Sequence, residues 1–200
     1  MVVVVDYAMG NVASAEKVFR KLGVPVAVSR DPAVFAQATH IVLPGVGAFG
    51  AGMQHLKNLG LIPMLQTKVL KEKVPFLGIC LGMQLLAEVG YEYGVHEGLG
   101  WVKGRVLKLA QTQRLPHIGW NDLTIAKDDV LLKDLPDLNA YFVHSYHLQC
   151  DEPGVVTSTC TYGERFVATI HKENIFGTQF HPEKSQLLGI QVIKNFLAYA

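Results

Sequence analysis

The chain has 200 residues, half of them hydrophobic, with 18 Lys and Arg against 17 Asp and Glu, for a formal net charge of +1. That balance excludes the basic surface a nucleic-acid partner requires and the polybasic patch of a membrane anchor. Three cysteines, Cys80, Cys150 and Cys160, without C-x-x-C spacing, exclude a disulfide framework and a thiolate zinc site and fit reduced thiols in a cytoplasmic protein.

The opening MVVVVDY has no basic leader, and its apolar run stops at Asp6. Neither a signal peptide nor a spanning helix is expected there, and no later segment stays apolar long enough to span. "VVVV" is an uninterrupted β-branched run, as a strand covered on both faces requires. Val12, Ala15, Val18, Phe19 and Leu22 then recur at helical spacing, with Gly23 placed to end the helix. "PVAVS" reads as a second strand, and Asp31 with Pro32 as the cap and first residue of a short helix. "HIVLPG" is a third buried strand. Met53 to Lys73 is helical in pattern, broken at Gly60 and Pro63; "PFLGI" is a fourth strand, and Leu81 to Val89 a helix.

This alternation predicts an α/β fold with a mostly parallel central sheet flanked by helices, of flavodoxin-like type. The second half differs. "WVKGRVLKL", "HIGWNDLTI", "NAYFVHSYH", "GVVTSTC", "RFVATIHK" and "NIFGTQFH" are short strand candidates joined by turn residues. They predict antiparallel strands added to the sheet, and "SQLLGIQVIKNFLAYA" predicts an amphipathic helix docked on the core. With no repeat, low-complexity tract or linker, residues 1–200 are expected to form a single domain.

The chemistry concentrates at "LGICLG". Here G-x-C-x-G lies between a predicted strand and a predicted helix, the cysteine form of a nucleophile elbow. A turn this tight strains its central residue, and glycines let the neighbouring backbones pass closely. Cys80 is then either a nucleophile at the carboxyl edge of the sheet or a buried structural cysteine. A nucleophile needs a base that is close in space. His181 lies at a strand end, and in an extended segment Glu183, two residues on, points the same way and can orient the imidazole. "GVGAFG" matches G-x-G-x-x-G but follows the third strand, where a dinucleotide fingerprint belongs on the first. The other use of these glycines is as backbone donors: Gly45, Val46 and Gly47 beside Cys80 would form an oxyanion hole. His144 and His147 have the spacing of a metal pair but no acid or thiol ligand nearby, so no metal is expected. His40, His55, His96, His117 and His171 show no comparable pairing and are read as structural.

Together, "PGVGAF", "GICLGMQ" and "HPEKS" resemble the class I, triad-type glutamine amidotransferases, and the resemblance runs over essentially the whole chain in order. "DYAMGN", "RLPHIGWN" and "YFVHSYH" fit the glutaminase subunits of histidine biosynthesis within that family, whereas relatives that feed pyridoxal phosphate synthesis usually carry a different glycine loop. The resemblance implies a Cys80–His181–Glu183 triad that releases ammonia from glutamine, with no cofactor. It implies substrate contacts from Gly45, Val46, Gly47, Leu81, Gln84, Ser145 and Tyr146, with Glu92 at the α-amino group. It also implies a heterodimer with a (β/α)-barrel cyclase, docked through Asn11, Ile118, Trp120, Tyr141 and Lys184.

Overall fold

In the computed structural model, which describes residues 1–110 and 113–199, the valine run becomes strand β1 (Val2–Val5), fully buried along its length. Gln111 and Thr112, within the expected single domain, and Ala200, the last residue of the expected final helix, lie outside the described residues. Helix α1 (Val12–Lys21) follows; the Asn11 side chain accepts from Ser14 N at 3.2 Å as its N-cap, and Gly23 closes it at φ +73°. Next come β2 (Val26–Ser29), the short α2 (Pro32–Phe35) capped by Asp31, and β3 (His40–Gly45). Beyond them lie α3 (Phe49–Asn58), α4 (Leu61–Leu65) with a π-helical turn at Gln66–Lys71, β4 (Phe76–Cys80) and α5 (Leu81–Gln84). The second half holds β5 (Val89–Gly90), β6 (His96–Glu97), β7 (Gly104–Lys108), β8 (His117–Asp122), β9 (Thr124–Ile125) and β10 (Asn139–His144). It ends with β11 (Tyr146–Cys150), β12 (Val156–Tyr162), β13 (Glu164–Lys172), β14 (Ile175–Thr178) and α6 (Gln186–Ala198).

The main sheet has eight strands in the order β2-β1-β3-β4-β14-β13-β12-β9. It is parallel from β2 to β14 and antiparallel beyond. Val3 and Val5 point into one core, with Phe35, Phe49 and Leu81; Val2 and Val4 point into the other, with Phe19, Phe176 and Phe196. Helix α6 closes the second core with Leu188, Val192 and Ile193. Among the described residues no helix is long and apolar enough to cross a membrane.

Four expectations are corrected. The helix expected from Met53 begins at Phe49, directly after the glycine loop, and Pro63 lies in the first turn of α4, where its missing N–H leaves no bond unmade. The helix expected over Leu81–Val89 stops at Gln84: Leu86 N and Ala87 N turn to the Met83 and Gln84 carbonyls three residues back, and the Leu85 carbonyl that Val89 N would need is used elsewhere. Leu85, Leu86 and Ala87 accept from Leu99 at 2.8 Å, Trp101 at 2.9 Å and Gly100 at 3.0 Å. "NAYFVHSYH" is two strands that part at Ser145, β10 pairing with β8 and β11 with β7. Of the added strands only β9, β12, β13 and β14 extend the main sheet; the others form a two-stranded sheet, β10-β8, and a four-stranded sheet, β11-β7-β5-β6.

At Gly82 the backbones pass so closely that a Cβ would sit 1.8 Å from the Leu43 carbonyl oxygen, an approach matched at Gly189 against the Pro182 carbonyl oxygen. No side-chain rotation relieves a clash with backbone. Gly82→Ala is expected to cost about 3 kcal/mol or more of unfolding free energy by urea titration. Gly154→Ala, where a Cβ meets nothing within 4 Å, is expected to stay within about 0.5 kcal/mol of the parent.

Candidate active site

Three adjacent parallel strands bring the site together at their carboxyl ends. In the β3–β4 register Gly45 lies opposite Cys80, and β14 flanks β4 on its other side and leads to His181. Cys80 has φ +54° and ψ −109°, a region that side chains other than glycine avoid. Gly78 and Gly82 allow this: a Cβ at Gly78 would stand 2.6 Å from the Gly82 carbonyl oxygen. At Gly45 a Cβ would meet the Tyr7 hydroxyl at 2.5 Å and Leu81 Cβ at 2.8 Å, so the glycine loop passes directly over the elbow. Gly47 adopts φ +105°, a conformation suited to glycine.

His181 Nδ1 bonds Glu183 Oε1 at 2.8 Å, and both side chains are buried. The pair does not use the extended spacing expected from sequence. Residues Pro182–Lys184 form a 3-10 turn that brings the carboxylate back under the ring, with Lys184 N donating to the His181 carbonyl at 3.0 Å. Burial opposes a charge on His181, but the Cys80 sulfur facing it and the Glu183 carboxylate behind it outweigh burial and push its pKa up to about 10. The imidazole is therefore held as a cation beside the sulfur.

The elbow opens on a cavity of about 390 Å³ lined by Val46, Gly47, Cys80, Leu81, Gln84, Glu92, Ser145 and Tyr146. The structure thus brings together almost every substrate contact implied by the resemblance; Gly45 lies behind this wall, paired with Cys80. Glu92 Oε2 accepts from Phe49 N at 2.8 Å, at the start of α3. Gln84 Nε2 donates to the Tyr146 carbonyl at 2.7 Å and to Gln179 Oε1 at 3.0 Å. Sequence reasoning missed Gln179, whose signal was a polar residue between the end of β14 at Thr178 and Phe180-His181. It also missed Tyr93, Pro116 and Val143, which line the same cavity.

His117 and His144 are paired after all: they face each other across β8 and β10, with Nδ1 of His117 3.1 Å from Nε2 of His144. The tautomers follow from the fixed partners. The Tyr146 carbonyl only accepts, so His144 carries its proton on Nδ1, 2.9 Å away. His144 Nε2 then accepts from His117 Nδ1, and His117 Nε2 accepts from Asn121 Nδ2 at 3.4 Å. Burial holds both imidazoles neutral, lowering His117 to about 4 and His144 to about 3. His171, also expected to be unpaired, bonds Asp129 Oδ2 through Nδ1 at 2.6 Å. Among the described residues no group of three or more His, Cys, Asp and Glu side chains is arranged to hold a metal.

Of the docking residues implied by the resemblance, Ile118 and Trp120 project from β8 with 59 % and 45 % exposure. Trp120 meets Tyr141 edge-on at 5.7 Å, and Lys184 Nζ stands 5.8 Å from the Tyr141 ring centre. These residues form one row beside the 3-10 turn at Pro182–Lys184. Asn11 is exposed and caps α1, next to Gly10, where a Cβ would stand 2.8 Å from the Pro44 carbonyl oxygen of the glycine-loop strand.

Residues 3–199 match the family described as "Glutamine amidotransferase class-I". The chain is 45% identical over 199 residues to "Imidazole glycerol phosphate synthase subunit HisH 1" of Campylobacter jejuni subsp. jejuni serotype O:23/36 (strain 81-176), covering 98% of each chain. It is 46% identical over 196 residues to "Imidazole glycerol phosphate synthase subunit HisH" of Aquifex aeolicus (strain VF5), covering 97% of this chain and 94% of that one. Among solved structures, "Structure of PurLQS from Thermotoga maritima" superposes with TM-score 0.76 at 19% identity, over 99% of this chain and 97% of that one, a likeness of fold.

The neutral histidines set a pH dependence. Below their ordinary value of 6.5 the unfolded chain holds more protons at His117 and His144 than the folded one. Stability therefore falls as pH drops from about 6.5 toward about 4. Urea unfolding across that window is expected to show the fall, and a His117→Gln, His144→Gln double variant a flatter dependence.

Proposed function

The chain belongs to the class I glutamine amidotransferase family, and we propose that it is the glutaminase subunit of an imidazole glycerol phosphate synthase. The observation that carries the activity is the thiol, imidazole and carboxylate at one sheet edge, opening on a cavity that also holds Gln84 and Tyr146. The Cys80 thiolate attacks the side-chain amide carbon of glutamine, and the N–H groups of the Gly45–Gly47 loop stabilise the oxyanion. The His181 imidazolium gives its proton to the leaving amine, so ammonia departs and a glutamyl thioester remains. Neutral His181 then takes a proton from water, whose hydroxide adds to the thioester; glutamate leaves, and the thiolate and imidazolium are restored. Glu183 holds the ring through Nδ1 throughout.

The subunit naming of relatives that match nearly the whole chain supports a partner, and we assign it as a (β/α)-barrel cyclase. The cyclase uses the ammonia to form imidazole glycerol phosphate and an aminoimidazole carboxamide ribotide. Free ammonia in bulk water becomes ammonium, which is not nucleophilic, so direct transfer has a chemical reason. The row Ile118, Trp120, Tyr141 and Lys184, with Asn11, is the proposed docking face, and residues 1–200 act as one domain. Gly45 of the glycine loop pairs with Cys80, and we take hydrolysis to stay low until the cyclase docks.

Glutamine hydrolysis by the isolated chain is expected to rise on adding cyclase and its ligand; full activity of the chain alone contradicts latency. Cys80→Ala is expected to abolish hydrolysis while leaving complex formation and the ammonia-driven cyclase reaction intact. Glu183→Gln is expected to lower kcat by about 10²- to 10⁴-fold.

A further inference from the structure

We propose that Gln179 is a further catalytic residue: its side-chain N–H donates to the Cys80 sulfur and stabilises the thiolate, both as attacking group and as group expelled from the thioester. The inference rests on the reading of Cys80 as nucleophile. Gln179 is completely buried, where an amide keeps its place only if its donors and acceptor find partners. The partners fix which end of the amide faces which way. The Tyr146 carbonyl only accepts, so the group of Gln84 facing it at 2.7 Å is the NH₂. The second N–H of that NH₂ points at Gln179 at 3.0 Å, so the Gln179 atom there is oxygen. The remaining NH₂ of Gln179 then lies 3.6 Å from Cys80 Sγ, within the range of a donor to sulfur. The flipped amide would set N–H against N–H at Gln84 and an oxygen lone pair against the sulfur.

The surroundings of the sulfur give this donor a task. The Val143 carbonyl, 3.7 Å away, accepts from the protonated thiol and repels the thiolate. Gln179 acts in the opposite sense. Unlike His181 it neither gains nor loses a proton, so its dipole serves every step alike. Its backbone is fixed by Gln179 N donating to the Ala168 carbonyl at 2.8 Å, which anchors it to β13. Through Gln84 the same amide is tied to the Tyr146 carbonyl, so the substrate wall and the nucleophile share one chain of hydrogen bonds.

The test is the rate of Cys80 alkylation by iodoacetamide against pH, read by mass spectrometry of the peptide carrying Cys80. It is run on the parent chain, Gln179→Met and Gln179→Asn, each alone and with the cyclase. In both variants the profile is expected to move to higher pH by about one unit or more, and kcat in the complex to fall about tenfold to a hundredfold with KM little changed. Gln179→Asn adds no charge, draws the amide back from the sulfur and carries the test should Gln179→Met melt too early. Profiles that superimpose on the parent's in a folded variant overturn the proposal, and a lowered melting temperature alone would then mark a merely structural amide. A parent chain whose Cys80 reacts no faster than Cys150 would instead overturn the nucleophile reading, and this proposal with it.

Discussion

The site depends on one close passage of backbone. Where α5 begins, its first turn crosses β3 so tightly that the Leu43 carbonyl occupies the space a side chain at position 82 would need. Gly82 makes the crossing possible, and the crossing forces the chain to reverse within one residue after β4. Cys80 absorbs that reversal at φ +54°. Strain of this kind costs about 1–3 kcal/mol. Burying one large apolar side chain contributes about 1.5–3 kcal/mol. Phe76, Leu77, Ile79 and Leu81, all buried around the elbow, therefore hold it in place. The thiol is raised at the sheet edge because the backbone has no other way through.

The same histidine chemistry is driven in opposite directions at two buried positions of one chain. His144 and His181 are both buried. His144 faces a carbonyl and a neutral imidazole, so burial wins and it stays uncharged. His181 faces a carboxylate and a sulfur, which outweigh the same desolvation. The His117–His144 pair is thereby neutral, while His181 is held as a cation between Cys80 and Glu183.

Much of this was legible because it is local. Gly78-Ile79-Cys80-Leu81-Gly82 carries the elbow in its own spacing, His181 and Glu183 lie two residues apart, and the valine run at the N-terminus needs a strand covered on both faces. What escaped the sequence is set by distant partners. The end of α5 depends on Leu99, which takes the Leu85 carbonyl that Val89 would need. The split at Ser145 is decided by β7 and β8, which claim the two halves of the segment for different sheets. Gln179 looks like one polar residue at a strand end until Gln84 and Cys80 fix its amide. His171 looks unpaired because Asp129 lies 42 residues away.

The central claim is that Cys80 forms a covalent bond to the glutamyl group. Acid quenching of the chain with its cyclase partner during turnover of isotopically labelled glutamine, followed by peptide mass spectrometry, tests it most directly. The account predicts a labelled glutamyl adduct on the peptide carrying Cys80, one that disappears as glutamine is exhausted. Continued turnover with an unmodified Cys80, or a glutamyl adduct on Cys150 or Cys160 in its place, would contradict it.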